Sequence, residues 1–423
     1  MQRREFVIAH AAAGAARVRD HGAKGDGVHL DTKALQTAID AVSAKGGGTV
    51  AVPPGRYLTG TLFLRNHVRL YLEEGSVLLG SKDLAHYPET VAKVRSYTDN
   101  YTDKSLIYAE GVERVAIDGE GIIDGQGASF KGPYKVRPYT IRMINCRDVS
   151  IRDVRIVDSP MWVQHYLECE DVYIRGIRVR SRVNANNDGI DIDSCSRVRI
   201  SDCDIWSGDD AIVLKSTTAR PCRDVVVSNC VLSSDCNALK LGTESHGGFE
   251  DIVMTNCSIY DTRLSGLAIE CVDGGALARV IASNLTMRNV GNPLFVRMGD
   301  RGRIFKEGQP RPGIGTLRDV TIANVYATAS SNIGCPLAGI PERPIENVYL
   351  SNIDMVFPGG GTEEMARRNP PEERDRYPEF KMFGPLPAYG LWSRHVRGLV
   401  AKDIRIRSLK PDARPAVLRV DTA

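Results

Sequence analysis

Short runs of alternating apolar and polar residues recur along this chain at nearly constant spacing. Asp148-Val149-Ser150-Ile151, Asp171-Val172-Tyr173-Ile174, Arg197-Val198-Arg199-Ile200, Asp224-Val225-Val226-Val227 and Asp251-Ile252-Val253-Met254 repeat one phrase. Their second residues are 23, 26, 27 and 27 positions apart, and the pattern continues at Val280, Val320 and Val348. Alternation with period two, rich in β-branched residues, predicts short strands with one buried face. Each phrase then meets Asn, Asp, Ser or Gly, as in Ser201-Asp202, Ser228-Asn229 and Thr255-Asn256, which marks a turn. Units of this length, holding several short strands, bury their apolar faces only by stacking on their neighbours. Propeller blades need about 40 residues each, more than these units offer. The expectation is an all-β chain, a single right-handed parallel β-helix with strands of successive coils about 4.8 Å apart.

The two ends break the pattern. Residues 31–43 are amphipathic, with Ala34, Leu35, Ala38, Ile39 and Val42 on one stripe behind an acidic start. They predict an N-terminal helix that caps the first coil, where open backbone edges invite aggregation. The glycine-rich run 46–55 then turns into the first strands. Residues 358–387 form an insertion rich in Gly, Pro and charge before the repeat resumes at Val396. Tyr377, Phe380, Phe383, Tyr389 and Trp392 favour a binding wall over a disordered loop. Residues 1–16, with Arg3-Arg4 ahead of an Ala-rich stretch, read as a twin-arginine export signal, and 17–423 as the body. That reading places the protein in the periplasm or outside the cell.

Composition narrows the partners. Of 423 residues, 55 are Lys or Arg and 52 Asp or Glu, a formal net charge of +3. This is too small a surplus to argue for nucleic acid or an anionic membrane, and no run of 18 apolar residues is present. Of ten cysteines, Cys146, Cys169, Cys195 and Cys222 sit just before strand starts and Cys203, Cys230 and Cys257 at phrase ends, with no C-x-x-C pair in the chain, which predicts buried thiols and neither bridges nor a metal.

The chemistry is carried by carboxylates. Asp188 lies in Asn186-Asn187-Asp188-Gly189-Ile190-Asp191, and Asp209-Asp210 follow 21 and 22 residues later, close to one coil. Asp-Gly alone is a turn signal, and an isolated Asp-Asp pair is ordinarily solvated. Their coincidence at one-coil separation stacks three acids on adjacent rungs. Glycoside hydrolysis with inversion needs two carboxyls roughly 6.5–9.5 Å apart, one protonated and one ionised. Crowded acids supply that split, because like charges disfavour simultaneous ionisation.

These motifs, with Gly22-Ala23-Lys24-Gly25-Asp26-Gly27 and the capping helix, resemble glycoside hydrolase family 28, the polygalacturonase family of inverting β-helical enzymes. The resemblance covers most of the chain. It implies that Asp209 is the general acid, that Asp188 and Asp210 hold and activate water, and that the substrate is a pectic oligosaccharide or polysaccharide containing galacturonate or rhamnose. No cofactor is implied. Two family motifs differ here. The family's Gly-His-Gly is matched by Cys236-Asn237-Ala238, and its Arg-Ile-Lys, which grips the uronate, by Ala268-Ile269-Glu270. Stacking the inward pairs Ile190/Ile192, Ile212/Leu214, Leu239/Leu241 and Leu267/Ile269 gives one outward column of Asp191, Val213, Lys240 and Ala268. The next column is Asp193, Lys215, Gly242, Glu270 and Arg297. The expected substrate-binding residues are therefore Asn186, Asn237, Lys240, Glu270 and Arg297, with Lys240 restoring a cation near the reacting sugar. Glu270 is expected either to bond sugar hydroxyls or to pair with Arg297. His246 is expected in a surface turn. Arg297, Arg301 and Arg303, with the 358–387 insertion, would close one end of the groove and make the enzyme exo-acting. A polysaccharide lyase, with calcium on the acidic rungs, and a catalytically inactive glycan-binding β-helix are the alternatives.

Overall fold

The structure, a computed structural model, describes residues 15–304 and 308–423; the expected export signal falls almost wholly outside them. Strand Ala16–Arg17 already pairs with Val50 and Ala51, so the folded body includes Ala16. The chain packs as two compact units, Met1–Asn187 with Arg199–Asp204, and Asp188–Val198 with Ile205–Ala423. Both are built as right-handed parallel β-helix, in the all-β class that the repeat predicts.

In the first unit each coil contributes strands to three faces. Val50, Leu70, Ile117, Ile151 and Ile174 stack in register on one face. Tyr57, Leu78, Ile123, Ile156 and Val179 stack on the second, and Leu62, Ile107 and Ile141 on the third. All are buried, so the alternation becomes continuous apolar columns inside the coil. The predicted helix forms at Thr32–Ala44 and buries Leu35, Ala38, Ile39 and Val42, while Ala34 is only half-buried. It closes the open edge chemically as well. The Gln36 side chain donates to the Phe63 carbonyl and accepts from the Phe63 amide, standing in for a missing neighbouring strand. Asp31 accepts from the Lys24 and Gly25 amides and so fixes the turn that precedes the helix.

In the second unit Val225, Ile252, Val280, Val320, Val348 and Leu399 form one column. The asparagines closing the phrases form another. Asn229, Asn256, Asn284, Asn324 and Asn352 all have φ between 51° and 57°, the left-handed region that asparagine tolerates better than most residues. Each later amide donates to the one before it, at 2.8–3.5 Å. The cysteines close turns too: Cys195, Cys230 and Cys257 donate to the carbonyl two residues earlier. All ten are free thiols, and all but Cys236 are buried.

The period lengthens twice, from Val280 to Val320 and from Val348 to Leu399. The first extension is the loop after Met298, which carries Arg301 and Arg303. The second is the insertion between strands Ile345–Phe357 and Leu391–Ser408. Phe380, Phe383 and Trp392 pack in one apolar cluster with Ala268, Phe295 and Ala338. Most of the predicted wall is therefore packing, and among its five aromatics Tyr377 is the most exposed, at 51%.

Candidate active site

The candidate acids of the second unit stand on coils whose registers match the expected inward pairs as far as Leu214 and Leu241. Strand Ile190–Asp193 pairs with Ile212–Ser216 as Ile190↔Ile212 and Ile192↔Leu214. That strand pairs with Leu239–Ser245 as Val213↔Lys240, and Lys240 is followed by Ala268 on the next coil. Gly189 allows close stacking: a Cβ there would sit 2.5 Å from the Ala211 carbonyl oxygen and 2.7 Å from an Ile205 methyl. The glycine of the Asp-Gly motif thus serves coil packing.

One register expectation is corrected. Beyond Leu214↔Leu241 the ladder slips, and the next pair is Ser216↔Ser245. Two extra residues therefore lie on the later strand, with Gly242 at φ 99°. Glu244, not Gly242, reaches Lys215, whose Nζ is 3.5 Å from Glu244 Oε2. The same ammonium lies 3.7 Å from Asp188 and 3.4 Å from Asp191. Asp191, Lys215 and Glu244 thus join the site without having been singled out from sequence. Asp193, in the same outward column, turns away and accepts from the Thr217 amide and hydroxyl.

Asp209 and Asp210 are adjacent yet held differently. Asp210 is buried, and its Oδ1 accepts from the Asn237 amide (3.0 Å) and side-chain Nδ2 (2.7 Å). Lys240 Nζ donates to its Oδ2 at 3.0 Å. Asn237 in turn accepts from the Ser265 amide, which ties Asp210 to the following coil. Burial alone would raise the Asp210 pKa, but Lys240, Lys215 and the Asn237 bond outweigh it and hold the group below the usual carboxylate range. Half-buried Asp209 accepts from the Asp210 amide. Burial, then the Asp210 charge, raises its pKa, opposed by the Cys236 thiol and the two lysines. Asp188 and Asp191 are raised further, chiefly by burial. Asp188 Oδ1 is buried without a hydrogen-bond partner, an unmet acceptor inside the cluster.

The other expected binding residues divide. Lys240 is in the cluster, but its charge is matched by Asp210. Glu270 is buried, its Oε2 has no partner, and burial raises its pKa to about 8 against the pull of Lys240. It forms no ion pair with Arg297, although the two are register partners. Arg297 points instead into the insertion, donating to the Ala338, Gly339, Glu372 and Glu373 carbonyls with its guanidinium over Phe383. Its surroundings are those of a loop anchor. In the first unit, Asn186 accepts from Arg137 Nη2 at 3.0 Å. Half-buried His246 meets the Arg303 carbonyl through Nε2 at 2.8 Å. Oxygens of Asp209 and Asp210 and the Cys236 sulfur lie within 4.8 Å of one another. Both Asp210 oxygens are already engaged and burial keeps the thiol protonated, so this set suits a hydrogen-bonded acid pair better than a cation.

The chain is thus a parallel β-helix whose adjacent coils gather carboxylates of opposite protonation bias. The chain belongs to glycosyl hydrolases family 28, whose pattern it matches over residues 77–374. Residues 15–82 match the rhamnogalacturonase A/epimerase, pectate lyase-like pattern. The chain is 34% identical over 230 residues to a probable polygalacturonase of Vitis vinifera, a match covering 50% of this chain and 46% of that protein. The chain thus spans about half the length of that relative. The family 28 exopolygalacturonase of Yersinia enterocolitica shares the fold, with TM-score 0.77 and 19% identity over 96% of this chain and 77% of that one. So does PfbA, a surface adhesin of Streptococcus pneumoniae, with TM-score 0.67 and 16% identity over 96% and 93%. Among the described residues no helix is long and apolar enough to cross a membrane.

Proposed function

We propose that this chain is an inverting glycoside hydrolase acting from the ends of pectic oligo- and polysaccharides that contain galacturonate or rhamnose. Asp209 is the general acid, Asp210 the base that activates water, and Asp188 the group that holds that water. The observation that carries the reading is the unequal bonding of two neighbouring carboxyls: Asp210 accepts from Asn237 twice and from Lys240, which pulls its pKa down, whereas Asp209 has no such cation bond among the described residues and burial pushes it up. A carboxyl that keeps its proton beside one that has lost its own supplies the acid and the ionised partner that glycoside hydrolysis requires, and inversion is what the family resemblance implies. Family membership supports the reaction class. The polygalacturonase names of relatives support the substrate class. The insertion, held by Arg297 over the Ala268 face, supports action from a chain end. Export to the periplasm or beyond fits a polymeric substrate of this kind.

The test is product mass and reducing-sugar release from a panel of pectic oligosaccharides, comparing the native protein with Asp209→Asn. Release of a monosaccharide, with kcat falling about 10²–10⁴-fold in the variant, is the expected result. Binding without release from any member would move the protein to glycan-binding β-helices. An ultraviolet-absorbing unsaturated product would make it a lyase.

A further inference from the structure

Most cations around the acid cluster are bonded to an acid or a carbonyl. Lys215 lies among Asp188, Asp191 and Glu244. Lys240 bonds Asp210. Arg303 bonds Asp273 at 2.7 Å and Glu244 at 3.2 Å, and Arg297 bonds carbonyls of the insertion. Arg374 and Arg311 both hold Asp300. Arg301 differs from all of these. Its Nη1 is closed off from solvent and has no acceptor, and its guanidinium lies 5.0 Å from the centre of the Tyr377 ring. The Lys240 ammonium is 5.9 Å from the centre of that same ring. One aromatic side chain therefore links an uncommitted guanidinium to the lysine that grips Asp210.

A closed-off guanidinium nitrogen without an acceptor is costly unless an acceptor arrives. A planar carboxylate is the anion whose geometry a guanidinium matches best. On the coil after Lys240 stands Ala268, packed in one apolar cluster with Phe380 and Phe383, and two residues on the buried Glu270 is an acid, so neither offers a cation. We infer that Arg301, held against Tyr377, is the specificity-determining residue that pairs with the carboxylate of a uronic acid in the substrate. Recognition of the acidic sugar is thus supplied from two loops, the one after Met298 and the 358–387 insertion. This rests on the pectic-substrate reading above and names the group that reads the acid.

The test is calorimetric binding of a galacturonic acid trimer and of its methyl ester to Asp209→Asn protein, with and without Arg301→Gln. Arg301→Gln should weaken the free-acid trimer about thirty-fold, the loss of one charge-assisted bond. It should leave the weaker ester binding unchanged, and Arg301→Lys should recover part of the loss. Equal affinity for the free acid with and without Arg301 overturns the inference, as does equal weakening of both ligands or no binding of the free acid. Turnover is read separately on the native protein. Arg301-dependent binding without product would sink the hydrolase reading and leave this one standing, whereas product release with Arg301-independent binding would do the reverse.

Discussion

Asp210 accepts three hydrogen bonds, two from Asn237 and one from Lys240, whereas Asp209 accepts from one backbone amide and the Cys236 thiol. This asymmetry makes pH dependence a residue-level test. Lys240 is the largest charge holding Asp210 ionised, so Lys240→Met should raise the Asp210 pKa. The acid limb of kcat/KM against pH should then move to higher pH, by about one unit or more. An unmoved limb would mean that Asp210 is not the base. Glu270 supplies a second test. Its folded pKa, about 8, lies above that of an unfolded chain, so the native state binds the extra proton. That contribution to stability is complete below about pH 4.3 and is lost, by about 1.4 kcal/mol per pH unit, as pH rises to about 8. Glu270→Gln should flatten this decline and raise Tm at pH 8 while leaving it little changed at pH 4. Equal Tm shifts at both values would contradict the buried, unpartnered acid.

At the scale of elements, the coil that bears Asp188 and the coil that bears Asp209 and Asp210 were legible because strands alternate with period two. Once Ile190/Ile192 was set against Ile212/Leu214, every outward neighbour followed, and the structure reproduces those pairs. The alternation fails at Gly242-Thr243, where the ladder takes two extra residues, so nothing in the pattern marked Glu244 as the partner of Lys215. The insertion was visible as a break in the period, but composition does not say which aromatics turn inward. Phe380, Phe383 and Trp392 do, Tyr377 does not, and Arg297 follows the insertion inward. Arg297→Ala removes four bonds to carbonyls, two on the insertion and two beside the 335–338 strand. Limited proteolysis between residues 358 and 387 should accelerate several-fold, with stability lower by about 2–3 kcal/mol. Cleavage at the native rate would return Arg297 to the list of substrate ligands.

At the scale of the molecule, a near-neutral chain gathers one group of acids, buried Asp188, Asp191, Asp210, Glu244 and Glu270 with half-buried Asp209, opposed by Lys215, Lys240 and Arg303. Sequence could name the three acids because spacing and coil length coincide. It could not say which cations were already matched, since that depends on side chains from loops of irregular length. The division of labour between Asp209 and Asp210 has a stereochemical outcome that can be measured on the product. Proton NMR of the first product from a defined pectic oligosaccharide reports the anomeric configuration before mutarotation. The expected product has the configuration opposite to that of the bond cleaved, with no signal from Asp209→Asn. First product with the configuration retained would contradict that division of labour.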